Sequence, residues 1–147
     1  MTRRTGPSGP VWIDERIVLA IHGRLLSLDG RLSGLRDLPL LQSALARPQQ
    51  LHAYGDKVDL IDLAAAYTAG IIRNHPFTDG NKRTGFVIGV LFLELNGGKF
   101  TATEESAAHA VLSLAAGTMN ESEFTSWMRE NVALLRKRQR FLFQGEY

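Results

Sequence analysis

The chain has 147 residues, 44% of them hydrophobic and 22% charged, a formal net charge of +2 and no cysteine. That length suits a single domain with its own core. So small a charge gives no argument by itself for a nucleic-acid or membrane surface, and the lack of thiols excludes disulfides and thiolate-held metals.

No apolar run approaches the roughly 20 residues that a membrane-spanning helix needs. The start, MTRRTGPSGP, is basic, but VWIDERIV follows with charges where a signal peptide is apolar. Residues 1–11 therefore read as a flexible tail. From Trp12 to about Ser27, Ile17, Val18, Ile21 and Leu25 recur at helical spacing, with Leu28 next in line. LDGRLSGLRD then breaks the pattern with two glycines. Asp37 suits an N-cap, with Pro39 in the first turn of a short helix that Pro48 ends.

QQLHAYGDK, polar and glycine-bearing, reads as a loop or small hairpin. Asp59 caps the next helix, which runs to about Asn74, where Pro76 disfavours helical geometry at His75. A further helix starts near Gly80 or Asn81 and stops at Asn96-Gly97-Gly98. It is apolar on nearly every face through Leu93, which places it in the middle of a bundle. Thr103 opens a helix through Ala116. The last, from about Ser122, carries Phe124, Trp127, Met128, Val132 and Leu135. No repeat or linker divides the chain, so residues 1–147 read as one all-α domain with a basic extension over 136–147.

The chemistry gathers in NHPFTDGNKRTG, residues 74 to 85. The start of a buried helix offers unpaired N–H groups and the positive end of a dipole, a place for phosphate. Gly80 allows close backbone approach, Asn81 brings a donor amide, and Lys82 and Arg83 bring positive charge. Asp79 offers the hard oxygen that Mg²⁺ prefers, and that ion needs few protein carboxylates when phosphates complete its shell. His75 is of the type that accepts a proton near neutrality. Phe77 anchors the loop. No Walker loop, protein-kinase motif set or HExxH is present.

HPFTDGNKRTG resembles the signature of the Fic/Doc (Fido) family, H-x-F-x-[DE]-[GA]-N-x-R, with His75, Phe77, Asp79, Gly80, Asn81 and Arg83 matching. GLRDLPLLQSALARPQ, AYGDKVDLIDLAAAYTAGIIRNHPF and FLELNG look like the death-on-curing (Doc-like) toxin branch, so the resemblance spans roughly residues 16 to 135. It implies an all-α bundle around a central apolar helix, with a small β-hairpin flap as an option. It also implies transfer of part of a nucleotide to a protein hydroxyl, with ATP and Mg²⁺ as cofactors. His75 would take the hydroxyl proton, Asp79 would hold Mg²⁺, and Gly80, Asn81 and Arg83 would bind phosphates.

Lys82 and Phe86 depart from the commoner G-N-G-R-x-x-R pattern and resemble the Doc branch, which phosphorylates elongation factor Tu. The expectation is a cytoplasmic Doc-like toxin kinase acting on a Ser or Thr hydroxyl of a translation factor, paired with an antitoxin. It needs no membrane and no direct nucleic acid. The alternatives are a Fic-type AMP-transferase and a non-catalytic helical module that binds a nucleotide or a partner.

Each residue also has a plainer use. His75 could be a helix C-cap and Asp79 an N-cap; two cations in a first turn oppose the dipole and point instead to a bound anion. His22, His52 and His109 are surface or core histidines. Arg36 lies in a segment that the family carries near its target cleft, and Tyr54, Gly55, Asp56 and Lys57 fall where the family places a target-aligning flap; a capped turn and a surface loop are the plainer readings. RKRQR, 136 to 140, could be a nucleic-acid patch; a solvated helix end, where cations suit the dipole, is the plainer and preferred reading. SWMREN, 126 to 131, meets the loose [ST]-x-x-x-E-[GN] pattern of self-inhibiting Fic proteins through Ser126, Glu130 and Asn131. That pattern is easily met by chance, and Trp127 and Met128 read as core.

Overall fold

The computed structural model describes residues 9–28 and 34–134. Within them lie α1 (Glu15–Leu28), α2 (Leu38–Tyr54), α3 (Leu60–Asn74), α4 (Asn81–Leu95), α5 (Glu104–Ala116) and α6 (Glu121–Glu130), with two strands, β1 (Gly98–Phe100) and β2 (Val132–Leu134). The all-α expectation holds. The basic stretch 136–140, Leu135 and residues 1–8 lie outside the described residues.

Local chemistry starts most of these helices. Asp14 accepts from the Ile17 N–H at 3.1 Å, Asp37 from Leu40 at 3.0 Å, and Thr103 from Ser106 at 3.1 Å. Asp59 with Asp62, and Asn120 with Glu123, form reciprocal capping boxes. Such caps satisfy N–H groups that a helix leaves without partners.

Three expectations need correction. Pro48 does not end α2; it is buried within it, and the helix runs to Tyr54. Leu41, Ala44, Leu45 and Pro48 form one inward stripe, and burying that stripe outweighs the backbone bond that proline forfeits. QQLHAY is therefore helix, and no hairpin forms there. Among the described residues the paired strands are β1 and β2, antiparallel from Gly98↔Leu134 to Phe100↔Val132, with α5 and α6 between them in sequence. Accordingly α6 stops at Glu130: the Asn131 amide donates to the Trp127 carbonyl at 2.8 Å, while the Asn131 carbonyl accepts from Thr101 N–H at 2.7 Å. Val132 thus belongs to a strand.

The third correction concerns the centre. The most enclosed helix is α3, buried without a break from Leu63 to Ile71. Instead, α4 buries one stripe, through Asn81, Thr84, Gly85, Ile88, Gly89, Phe92 and Leu93. Size explains the exchange. The run AAAYTAG carries little bulk, so neighbours approach α3 from several sides. A Cβ built on Gly89 would meet the Thr68 hydroxyl and lie 2.9 Å from the Ala64 carbonyl; one on Gly70 would lie 3.4 Å from Ala44. Thr68 Oγ1 donates to the Gly85 carbonyl at 2.8 Å across the α3–α4 crossing.

Both α2 and α6 run antiparallel to α3. Near the C-terminal end of α3, Asn74 Nδ2 donates to the Leu40 carbonyl at 2.9 Å, and Arg73 reaches Glu121 at 3.3 Å; Arg47 also pairs with Glu121, at 2.8 Å. At its N-terminal end, Arg129 binds Asp59 at 2.5 Å and Asp62 at 3.2 Å. Partial burial works to raise the Asp59 pKa. The Asp62 N–H, the Arg129 hydrogen bond, the Asp62 side chain and the Arg129 charge outweigh it and hold that carboxyl below its usual range. Burial and the neighbouring Asp59 raise Asp62 instead, against the pull of the Asp62–Asp59 backbone bond and Arg129.

The amino-terminal strap departs from the flexible-tail reading at Val11. Its N–H donates to Asn96 Oδ1 at 2.7 Å and its carbonyl accepts from Asn96 Nδ2 at 3.0 Å. Ile13, fully buried, donates its N–H to the Tyr67 hydroxyl at 3.0 Å, and Trp12 stacks on Phe92. Burial lifts the Tyr67 hydroxyl to a pKa of about 12, against the lowering influence of that bond.

Candidate active site

Residues 75–80 join α3 to α4. His75 is the C-cap of α3, in the left-handed region at φ 51, ψ 53, with its N–H bonded to the Ile71 carbonyl at 3.0 Å. A non-glycine residue held there costs about 1–3 kcal/mol and persists only where its surroundings enforce it. Pro76 adds to the strain by favouring extended backbone at the residue before it. The plain C-cap reading of His75 therefore describes its backbone, while its side chain stands exposed to solvent.

Arg36 lies against this turn. Its Nε and Nη2 donate to the His75 carbonyl at 3.0 and 2.5 Å, and Nη2 also to Asn74 at 3.4 Å. The Arg36 and Asp37 N–H groups both donate to the Pro76 carbonyl, at 2.7 and 3.0 Å. Leu35 forms an isolated antiparallel bridge with Phe77, and Thr78 N–H donates to Gly34 at 3.1 Å. Residues 34–37 thus form the wall beside His75.

Below the turn, Phe77 is wholly buried and stacks on His22, ring centroids 3.6 Å apart and planes 10° from parallel. His22 Nε2 lies 2.8 Å from the Asp79 carbonyl. A carbonyl only accepts, so the proton sits on Nε2 and the imidazole donates. His22, read from sequence as a surface or core histidine, is a buried support of this loop; it lies with Val18 and Leu26 on the buried stripe of α1, the one signal that would have turned it inward. Asn81 is nearly as buried. Its Oδ1 accepts from Phe77 N–H and its Nδ2 donates to the Phe77 carbonyl, both at 2.9 Å. The Asn81 amide is therefore a staple inside the loop, and what it presents toward an anion is the helix start that it fixes.

Gly80 is the N-cap of α4, left-handed at φ 81, and no side chain among the described residues caps this helix. A Cβ on Gly80 would lie 3.1 Å from Leu26 Cδ2. Asp79 does not cap α4; its Oδ1 accepts from the N–H of Gly80 at 2.7 Å, outside the first turn. Lys82 and Arg83, both exposed, follow in that turn. An absent cap forfeits about 0.5–2 kcal/mol, and each cation at a helix N-terminus works against the dipole by about 0.3–1 kcal/mol. Such an end suits an anion of several oxygens.

No group of three or more His, Asp or Glu side chains placed to hold a metal occurs among the described residues. Asp79 on its own nevertheless fits Mg²⁺ of the kind that travels with phosphates, since one or two carboxylates then suffice.

Tyr54, Gly55, Asp56 and Lys57 do not join the site. Tyr54 closes α2, Gly55 is its C-cap, and the segment precedes α3, whereas His75 follows it. The 15 residues of α3 separate the two ends by about 20 Å at 1.5 Å per residue. The flap expectation for these four fails because α2 continues past Pro48 and carries them away. The self-inhibitory pattern meets the same geometry. Arg129 binds the N-terminal end of α3, so Glu130, next to it and exposed, sits far from His75. Met128 is wholly buried, and Trp127 Nε1 donates to Ser106 at 3.0 Å.

The sequence profile of the Fic/DOC family matches residues 12–93. The chain is 30% identical over 117 residues to the protein kinase doc of Escherichia phage P1, an overlap of 80% of this chain and 92% of that one. Over 95 residues it is 44% identical to the toxin Doc of Mycolicibacterium smegmatis, covering 62% of this chain and 68% of that protein. The N-terminal Fic domain of a VirB-translocated Bep effector protein from Bartonella quintana, solved with bound ADP, superposes with a TM-score of 0.46 at 19% identity. That overlap takes in 69% of this chain and half the length of the solved one. With more than half of its length matched by the family profile and most of a Doc protein aligned to it, the chain belongs to the Fic/DOC family, in the Doc-like branch.

Proposed function

We propose that this protein is a toxin kinase that moves the γ-phosphate of ATP to a Ser or Thr hydroxyl of a translation factor, elongation factor Tu being the expected target. The observation that carries this reading is the start of α4: Gly80 left-handed, no side-chain cap among the described residues, and Lys82 and Arg83 in the first turn. Backbone N–H groups at a helix start, with flanking cations, suit the oxygens of a polyphosphate. Lys82 stands where AMP-transferring relatives of the family have a glycine, which favours a reversed nucleotide with its γ-phosphate toward the target. The relative named as a protein kinase supports the same choice.

The target hydroxyl oxygen forms a bond to the γ-phosphorus, the bond to the bridging oxygen breaks, and ADP leaves. His75 Nε2 or Nδ1 takes the hydroxyl proton as that bond forms. Its position at the mouth rather than in the core suits a base that must meet a macromolecule. Lys82 and Arg83 hold phosphate oxygens, and positioning with charge stabilisation supplies most of the rate. Asp79 would hold Mg²⁺, which when bound neutralises charge on the phosphates. A cognate antitoxin covering the cleft completes the pair. No helix of the described residues is long and apolar enough to cross a membrane. We place the activity in the cytoplasm because the proposed target, a translation factor, works there.

The test is incubation with ATP labelled at the γ or the α phosphate in a bacterial lysate. Protein label from γ alone is expected, and His75→Ala should abolish it. Label from α would establish AMP transfer instead, and none from either a binding module.

A further inference from the structure

We propose that Arg36 is a positioning residue: it holds the His75 backbone left-handed and so aims the imidazole, and its importance for transfer rests on the function proposed above. The two peptide planes that flank the His75 Cα are held by separate contacts, and together they set its φ and ψ. The N–H bond to the Ile71 carbonyl holds the plane before it, as the last turn of α3. Arg36 Nε and Nη2 both donate to the His75 carbonyl and so hold the plane after it. The same residue donates from Nη2 to the Asn74 carbonyl and from its own N–H to the Pro76 carbonyl. Three consecutive carbonyls, 74, 75 and 76, are thus gripped by Arg36.

This grip answers a specific need. A non-glycine residue in the left-handed region and followed by proline is disfavoured on two counts. The guanidinium is suited to the place. Its planar fork reaches neighbouring acceptors at once, and its charge meets the negative end of the α3 dipole. Nε and Nη2 are engaged with these carbonyls, so the side chain acts on the turn rather than on an incoming target.

The assignment separates Arg36 from a plain stability device by two measurements. The first needs no activity. In isotope-labelled protein, wild type should show the strong contact between the Hα and amide protons within His75 that a positive φ gives. Arg36→Ala should lose it, with the rest of the amide spectrum retained. Arg36→Lys keeps the charge but not the fork, so an intermediate signal is expected; it also serves if the alanine variant folds poorly. The second uses γ-labelled ATP and a fixed amount of bacterial lysate. Arg36→Ala should lower apparent kcat by about a hundredfold, as for a misplaced catalytic group, with apparent KM for ATP unchanged and partial recovery in Arg36→Lys.

A His75 that keeps its positive φ in Arg36→Ala overturns the assignment, as does a loss expressed in KM with kcat intact. If wild type transfers no label, the transfer function fails, and the backbone measurement still decides whether Arg36 holds His75.

Discussion

Lys82 and Arg83 stand where a helix tolerates positive charge least, on the first turn of the only described helix that no side chain caps. Without ligand, Lys82→Glu should therefore stabilise the fold by about 0.5–1 kcal/mol, read by urea unfolding, since it replaces an opposed charge by a favoured one. On the proposed function, Mg²⁺ and ATP should raise the melting temperature of wild type, and the same change should abolish that rise. A variant that is less stable, or still shifted by ATP, would remove the anion from the account of this turn. Asn81 is a different case despite being its sequence neighbour. Asn81→Ala leaves the Phe77 N–H and carbonyl buried without partners and should cost about 2 kcal/mol or more, seen in the same unfolding experiment with or without nucleotide. These fates explain what could be read at this scale. The motif was legible because its members are contiguous and chemically unusual. The supports of the motif were not, because Arg36 meets His75 across 39 positions and His22 meets Asp79 across 57, distances over which a one-dimensional pattern carries no pairing.

Helix starts were read well and helix ends less so. A cap lies within three residues of what it caps, as Asp37, Asp59 and Thr103 do, so the signal is local. Pro48 and Asn131 were decided from outside, one by a buried stripe and the other by the pairing of β2 with β1. The Arg129–Asp59–Asp62 contact joins two elements across the bundle, and its pH dependence follows from the direction of the shift. Asp59 is depressed, so its contribution is complete above the ordinary value of 3.8 and is lost as the pH falls below that, through its folded pKa. Arg129→Ala should cost about 0.5–1 kcal/mol at neutral pH, because both partners are nearly half exposed and well screened. In urea unfolding the gap from wild type should close as the pH drops below 3.8. Asp62, shifted upward, works in the opposite sense and takes up its proton above that value, so it does not delay the closure. A gap that widens in acid would contradict the assignment.

For the whole molecule, the direction of α3 governs what can take part in the reaction. One end carries Arg36, His75 and the start of α4; the other carries Tyr54–Lys57 and the end of α6. The sequence showed both sets but not that one helix length divides them. The crossing of α3 and α4 has a further consequence. Gly89 sits so close to Thr68 and Ala64 that no methyl group fits between them, and Gly89→Ala should cost about 1–3 kcal/mol by overpacking, measured by thermal or urea unfolding. Helices seated at backbone distance have no play along their length. A partner that covers the cleft, as proposed, should leave this crossing undisturbed: amide exchange at residues 85–89 should be equally slow whether the cleft is full or bare.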